Sequence, residues 1–150
     1  ICGTGIRVSE LQYITVEAVR DGKAVVNCKN KTRVIFIPAP LQRILRKYIK
    51  KSGIQAGSVF VSRNGKPLDR SSIWRKMKAL CAKAGVSPNK VFPHNLRHLF
   101  ARTFYSIEKD IVRLADLLGH SSVDTTRIYT METGRQHISR LERVQTVLLT

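Results

Sequence analysis

The fold of the second half of the chain is decided by F-P-H-N-L-R-H-L-F, from Phe92 to Phe100, and by L-L-G-H-S-S-V-D-T-T-R-I-Y, from Leu117 to Tyr129. Pro93 predicts the start of a helix, because the first helical turn has no internal hydrogen bond that proline would remove. Apolar residues recur at helical spacing from Leu96 to Phe104. One face of this helix is therefore expected to pack against a core.

The second stretch predicts two further helix boundaries. An amphipathic segment from Asp110 to Leu118 is followed by Gly119, and glycine commonly ends helices. His120 should then lie just beyond a helix C-terminus. The run from Ser121 to Asp124 has a pattern like a capping box, and it predicts a short helix that carries Tyr129.

The other segments predict a mainly helical α+β domain with a small antiparallel sheet at one edge. Two β-rich runs, 24–26 and 34–37, flank the cationic sequence C-K-N-K-T-R and predict a hairpin, to which the apolar run 59–61 would add a third strand. Further helices are expected at 4–19, at 40–51, from a cap at Asp69 or Ser71 to Gly85, and, as a C-terminal tail, at 134–149.

Charge is strongly positive and unevenly distributed. The 150 residues contain 27 Lys and Arg against 10 Asp and Glu, a formal net charge of +17. Residues 1–100 hold 20 of the basic residues and only 4 of the acidic ones. Such a field attracts a polyanion, most commonly nucleic acid, although a generically basic surface or binding to an anionic membrane would fit the composition too. The candidate DNA contacts are Lys31, Arg33, Lys76 and Lys78.

Length and composition restrict the other classes of function. The length fits one domain with its own core, and no apolar run is long enough to cross a membrane. Three cysteines give neither a disulfide framework nor a metal pattern, so we expect a protein of the reducing cytoplasm. The sequence has no Walker loop, H-E-x-x-H motif or carboxylate cluster, which disfavours ATP use and metal-dependent hydrolysis.

One set of polar residues suits the chemistry of a phosphodiester. T-G-I-R-V-S-E-L, from Thr4 to Leu11, supplies an arginine and a glutamate that is expected to orient it. Guanidiniums would stabilise the charge of a pentavalent phosphorus, histidines would donate hydrogen bonds or move protons, and a tyrosine could be the nucleophile. The residues that we expect around one phosphate are Arg7, His94, Arg97, His120 and Tyr129, with Glu10 behind Arg7.

These motifs resemble those of the tyrosine recombinase (integrase) family, and of bacterial, phage and conjugative-transposon integrases in particular. The resemblance rests on T-G-I-R-V-S-E-L, H-N-L-R-H, L-G-H-S-S and T-T-R-I-Y, which follow one another in the family's order. A basic hairpin lies between the first and the second motif, as in the family. The resemblance covers essentially the whole chain and implies the tyrosine recombinase catalytic-domain fold.

The resemblance implies roles for six residues. It also implies a reaction that needs no metal, ATP or other cofactor. Both arginines and His120 would stabilise the phosphorane, while His94 would assist proton transfer. Tyr129 would form a 3′-phosphotyrosyl link, which the 5′-hydroxyl of a partner strand later attacks. Lys29 would be the general acid, but the tip C-K-N-K-T-R is a residue shorter than the usual form. Lys31 therefore remains an alternative to Lys29.

The resemblance also implies parts that this chain lacks. We expect residues 1–150 to be an N-terminally truncated catalytic domain without the family's core-binding domain. The full-length protein would act on double-stranded DNA as a homotetramer on two sites, and protomers would exchange their C-terminal helices. The isolated fragment would be monomeric and of low activity. The alternative for the tail is that it folds onto its own core.

Three other functions are compatible with parts of this pattern. A type IB topoisomerase would share the chemistry but reseal the same strand, and a non-catalytic DNA-binding protein would keep the fold without needing Tyr129. A metal-dependent nuclease would lose activity with a chelator. The pair His94 and His98 has the spacing of a zinc motif but lacks its glutamate, so His98 is expected to pack or to face solvent.

Overall fold

A computed structural model of the chain describes residues 1–28 and 31–128, together with Glu142 and Val144. Strands β1 (Lys23–Cys28) and β2 (Lys31–Phe36) form an antiparallel hairpin. The helices are α1 (Val16–Asp21), α2 (Ala39–Ser52), α3 (Arg70–Ala84), α4 (Pro93–Glu108), α5 (Ile111–Leu118) and α6 (Val123–Arg127), with short 3-10 helices at Val8–Tyr13 and Pro88–Lys90. The predicted class, mainly helical with a small antiparallel sheet, is confirmed. Among these described residues, no helix has the length and apolar character to span a membrane.

The prediction of a third strand is wrong. The sheet in the described part of the chain has two strands, and the run 59–61 lies elsewhere. Val59 donates its N–H to the carbonyl of Ile14 at 2.9 Å, and Val61 forms an isolated bridge with Pro67. Three apolar residues do not specify which backbone they pair with. Here the partner belongs to the segment before α1, residues 1–15, which is called the first loop below.

The helix predicted over 4–19 is interrupted before α1. Thr15 is extended, and its hydroxyl accepts the N–H of Ala18 at 3.1 Å, which caps the N-terminus of α1. The next residue, Val16, donates its N–H to the carbonyl of Gly57 at 2.9 Å. Pairing with a distant loop therefore breaks a segment whose apolar spacing alone indicated one helix.

Gly5 lets the first loop approach the second half of the chain. Its φ of +66° is left-handed, and a Cβ on this residue would lie only 2.4 Å from Cδ1 of Phe100. Glycine is the residue that tolerates both the conformation and the contact. The segment that carries Arg7 consequently lies directly against α4.

The buried apolar residues in the described part of the chain form two clusters. The larger one joins the first loop, α1, the hairpin and α2, and includes Val19 and Ile35. The smaller one joins Ala101 of α4 to Leu114 and Leu118 of α5, and both leucines are fully buried. Burial of each leucine contributes roughly 1.5–3 kcal/mol. Packing therefore holds α5, which at 8 residues is too short to be stable alone.

Local capping signals set the helix ends close to where the sequence predicted them. Asp69, rather than Ser71, caps α3, because its carboxylate accepts the N–H of Ser72 at 2.6 Å. Ser122 caps α6 in the same way, accepting the N–H of Asp124 at 3.1 Å. The Ser122 cap and Gly119 at the end of α5 bound the turn that carries His120.

Candidate active site

Arg97 on α4 connects three separate segments of the chain. It is buried, with 4% of its surface exposed, and its guanidinium donates to the carbonyl of Gly5. It also donates to the carbonyl of Leu118 at 2.6 Å, and its Nη2 lies 3.0 Å from Nε2 of His120. Arg97 thereby joins the first loop, α4 and the end of α5 at one point.

Three arginines bind the C-terminal end of α5 through three consecutive carbonyl groups. The hydrogen bonds run from Arg33 to Leu117 at 2.6 Å, from Arg97 to Leu118 at 2.6 Å and from Arg7 to Gly119 at 3.0 Å. The last carbonyls of a helix lack intrahelical partners and form the negative end of its dipole. Three guanidiniums supply both the donors and the opposite charge. They fix the turn that leads into His120.

Glu10 lies between two of these arginines. Its carboxylate accepts the backbone N–H of Arg7 at 2.7 Å and the Arg7 guanidinium at 3.0 Å, and it also pairs with Arg33. Burial would raise the pKa of Glu10, but the hydrogen bonds from Arg7 and Arg33 outweigh it and hold the pKa below its usual value. Glu10 is therefore ionised at neutral pH and contacts Arg7 as the sequence predicted.

His120 has a fixed hydrogen-bonding state. Burial, followed by the charges of Arg97, Arg7 and Arg33, lowers its pKa to about 4, so the ring is neutral at pH 7. Arginine can only donate, so Nε2 of His120 accepts from Arg97. The proton consequently lies on Nδ1, which is 2.8 Å from the hydroxyl of Thr126.

His94 lies at the exposed start of α4 and contacts His98 one turn later. Their Nε2 atoms are 2.6 Å apart, and the rings meet edge to face with centroids 4.2 Å apart. Burial lowers the pKa of His98, and the charges of His94, Arg102 and Arg97 lower it further. No cluster of three metal-ligating side chains occurs among the residues described.

Four of the predicted site residues line one open cleft of about 600 Å³, namely Arg7, His94, Arg97 and His120. The same cleft is lined by Arg70 and Trp74 of α3, which the sequence analysis did not identify. Trp74 is 48% exposed, and an exposed tryptophan one helical turn from an arginine is a signal that could have indicated them. The cleft is thus lined both by positively charged arginines and by the ring of Trp74.

Two of the four candidate DNA contacts have side chains held within the fold rather than presented as surface cations. Arg33 has only 15% of its side chain exposed and is bound to Glu10 and Leu117. Lys78 donates to the carbonyls of Pro88 and Val91, the latter at 3.0 Å, and so fastens the loop between α3 and α4. Contact of Arg33 and Lys78 with DNA stays a prediction. Lys76 lies exposed on α3, and Lys31 is the first residue of β2.

Two predicted catalytic residues, Lys29 and Tyr129, lie outside the described residues. The tail predicted over 134–149 also lies outside them, apart from Glu142 and Val144, which are helical. The choice between Lys29 and Lys31 as general acid therefore stays a prediction.

The resemblance to tyrosine recombinase catalytic domains implied that two arginines and a histidine from three distant motifs act together, and in this structure they meet at one helix end. The chain belongs to the phage integrase family, whose model matches residues 1–135. This membership confirms the resemblance inferred from the four motifs.

Relatives with curated names agree with this assignment. The chain is 35% identical over 148 residues to tyrosine recombinase XerA of Pyrococcus furiosus, covering 94% of this chain and 51% of the relative. It is 36% identical over 152 residues to tyrosine recombinase XerD of Xanthomonas campestris pv. campestris, covering 91% of this chain and 47% of the relative. The chain thus spans about half the length of these relatives.

Solved structures show the same fold. The crystal structure of XerA recombinase is 31% identical, with a TM-score of 0.75, over 97% of this chain and 52% of that one. The XerH site-specific recombinase bound to palindromic difH substrate, in a post-cleavage complex, has a TM-score of 0.76 over 100% of this chain and 44% of that one. At 23% identity the XerH likeness concerns the fold alone.

Proposed function

We propose that this chain is the catalytic domain of a site-specific DNA recombinase that cuts and rejoins DNA through a tyrosine. The observation that carries the proposal is the convergence of Arg7, Arg97 and His120 at the end of α5, in a cleft that His94 also lines. The names of the relatives, tyrosine recombinases XerA, XerD and XerH, support the same class of reaction here.

The cleft has the charge that a reacting phosphate needs. Arg7 has 43% of its side chain exposed, so it can donate to a phosphate while Glu10 and the α5 carbonyl hold its position. Arg97 adds a second, buried positive charge. Guanidiniums stay protonated and match the geometry of phosphate oxygens. Charge that develops on the non-bridging oxygens would be stabilised by groups that are already in place.

The proposed reaction conserves a phosphoester bond at each step. The hydroxyl oxygen of Tyr129 bonds to phosphorus, and the bond from phosphorus to the 5′ oxygen breaks. The phenolic proton passes to a base, for which His94 is proposed, and the 5′ oxygen takes a proton from Lys29 or Lys31. A 5′-hydroxyl of the partner strand then displaces the tyrosine. Because one ester is exchanged for another, the reaction requires no ATP, and the proposed source of the positive charge that a metal ion could otherwise supply is Arg7 and Arg97.

Double-stranded DNA is the proposed partner. The net charge of +17 supports it, as do solved structures of the fold bound to difH substrate and to transposon right end DNA. For the full-length protein we propose a homotetramer on two DNA sites with exchange of the C-terminal helix, acting in the cytoplasm. The isolated 150-residue chain is proposed to be a monomer.

The test uses the full-length protein that contains this chain and the DNA ends of the element that encodes it. Nicked suicide duplexes are incubated with protein in EDTA and run on a denaturing gel. We expect a covalent protein–DNA adduct from the parent and none from Tyr129→Phe. Tight DNA binding without any adduct would contradict the proposal and favour a non-catalytic DNA-binding protein.

A further inference from the structure

Arg33 occupies the interior of the site although its sequence context suggested a surface cation. It lies on β2, opposite Val26 of β1. Its Nη1 donates to the carbonyl of Leu117 at 2.6 Å, and its Nη2 pairs with Glu10. One planar side chain thus connects the hairpin with the first loop and with the end of α5.

Each partner of Arg33 supports a residue of the proposed reaction. Glu10 holds the guanidinium of Arg7 through an ion pair of 3.0 Å. Leu117 lies in the last turn of α5, three residues before His120. Arg33 therefore contacts the support of Arg7 and the support of His120 at the same time, and it touches neither of them by the hydrogen bonds described.

The turn after α5 is shaped to receive this arginine. Gly119 has a φ of +64°, and a Cβ there would lie 2.5 Å from Cδ and 2.8 Å from Nε of Arg33. The absence of a side chain at this position leaves room for the arginine stem. A lysine could not replace Arg33, because a single ammonium lacks the rigid fork that reaches two acceptors at once.

We propose that Arg33 is a positioning residue that holds Arg7 and His120 in the correct positions relative to each other, acting through Glu10 and Leu117. This inference rests on the proposed function. A misplacement of about 1 Å among catalytic groups can cost on the order of 100-fold in rate. Removal of the fork should therefore slow the chemical step and leave DNA binding nearly intact, since the Arg33 side chain is largely covered.

The test compares Arg33→Gln and Arg33→Lys with Lys23→Gln in the full-length protein. Lys23 is exposed on β1 of the same hairpin, so its variant loses the same charge without touching the site. Cleavage of a nicked suicide duplex is followed with enzyme in excess, and DNA binding is measured by mobility shift. We expect both Arg33 variants to cleave roughly 100-fold more slowly, with DNA affinity within about threefold, and Lys23→Gln to match the parent.

A second substrate distinguishes positioning of Arg7 and His120 from an effect on the hairpin tip. In this duplex, sulfur replaces the bridging 5′ oxygen, and the leaving thiolate needs no general acid. We expect the sulfur substrate to restore cleavage by Lys29→Ala, or by Lys31→Ala if that lysine is the acid, but not by Arg33→Gln. Rescue of Arg33→Gln by sulfur, or a defect confined to DNA binding, would overturn the inference.

The outcomes also separate this inference from the proposed function. Adducts that form at the same rate with the parent, Lys23→Gln and Arg33→Gln would overturn the role of Arg33 and leave the recombinase proposal standing. If neither the parent nor Lys23→Gln forms an adduct, the recombinase proposal is overturned and the inference falls with it. A general loss of folding in Arg33→Gln would show as a smaller reactive fraction, whereas mispositioning lowers the rate constant of the fraction that reacts.

Discussion

Thr126 and His120 are joined by a hydrogen bond of 2.8 Å between the hydroxyl and Nδ1, on the edge of the imidazole away from Arg97. Thr126 is fully buried, so its hydroxyl has this ring as a fixed partner rather than solvent. Because Arg97 donates to Nε2, Nδ1 carries the proton and the hydroxyl of Thr126 accepts it. A residue of α6 therefore holds the ring of His120 on the side opposite Arg97.

Replacing Thr126 by valine tests this role. The shape is preserved, but Nδ1–H of His120 loses its acceptor, so we expect a stability loss of about 1–3 kcal/mol. The cleavage rate should fall on the order of tenfold or more, because the ring is free to turn or change tautomer. Urea unfolding and single-turnover cleavage measure the two effects. Thr126→Ser, which keeps the hydroxyl, is the control, and equal behaviour of the two variants would contradict the role of the hydrogen bond.

The depressed pKa of His120 predicts a specific dependence of stability on pH. An ordinary histidine takes up its proton near pH 6.5, whereas His120 in the folded chain does so near pH 4. Between these values the unfolded state binds more protons, so the free energy of unfolding should fall as the pH is lowered from 6.5 to 4. Unfolding curves across this range measure the effect.

A resolved His120 signal in an NMR titration gives the pKa of the ring in the folded chain directly. The ring should remain neutral at pH 5.5, and His120→Gln should remove this part of the pH dependence of stability. A His120 midpoint near 6.5 would contradict the burial and the cationic surroundings that the structure shows. A phosphate bound in the cleft should raise the His120 pKa, because it brings negative charge beside the ring.

Removing the charge of Glu10 should destabilise the folded chain strongly. Glu10→Gln leaves Arg33 and Arg7 without their shared counterion inside the protein, and breaking such a buried pair typically costs about 3–5 kcal/mol. Glu108→Gln, at the exposed end of α4, is the control and should change stability by less than about 0.5 kcal/mol. Because the pKa of Glu10 is lowered in the folded chain, its stabilisation is present above pH 4.5 and is lost on acidification through the folded pKa. Equal unfolding free energies for the two variants would contradict this account.

Sequence signals that act over a few residues predicted most of the helices. Pro93 starts α4, Asp69 caps α3 and Ser122 caps α6, and each depends on hydrogen bonds or sterics within one helical turn. The same information brought His94 and Arg97 together on α4. Local chemistry therefore gave the part of the site that lies on a single element.

Long-range partners could not be derived in this way. Arg33 and Leu117 are 84 residues apart, and Arg97 and Gly5 are 92 apart, so no periodicity relates them. Arg33 in C-K-N-K-T-R looked like one more surface cation, because the sequence does not show that Gly119 leaves space for its stem. The third strand was mispredicted for a related reason, since a three-residue apolar run does not choose its own partner.

Two glycines with the same backbone conformation isolate the packing of Arg33. Gly119 and Gly85 both have a φ of +64° and both end helices, but a Cβ at Gly85 meets nothing within 4 Å, whereas a Cβ at Gly119 would clash with Arg33. Gly85→Ala should cost about 1 kcal/mol, from the left-handed conformation alone. Gly119→Ala should cost more, because the Arg33 stem must move away from Glu10 and Leu117, and its cleavage rate should fall as that of Arg33→Gln does. Thermal unfolding and single-turnover cleavage of both variants measure the difference. Matching values for the two alanines would show that Gly119 serves only as a helix end, with no part in seating Arg33.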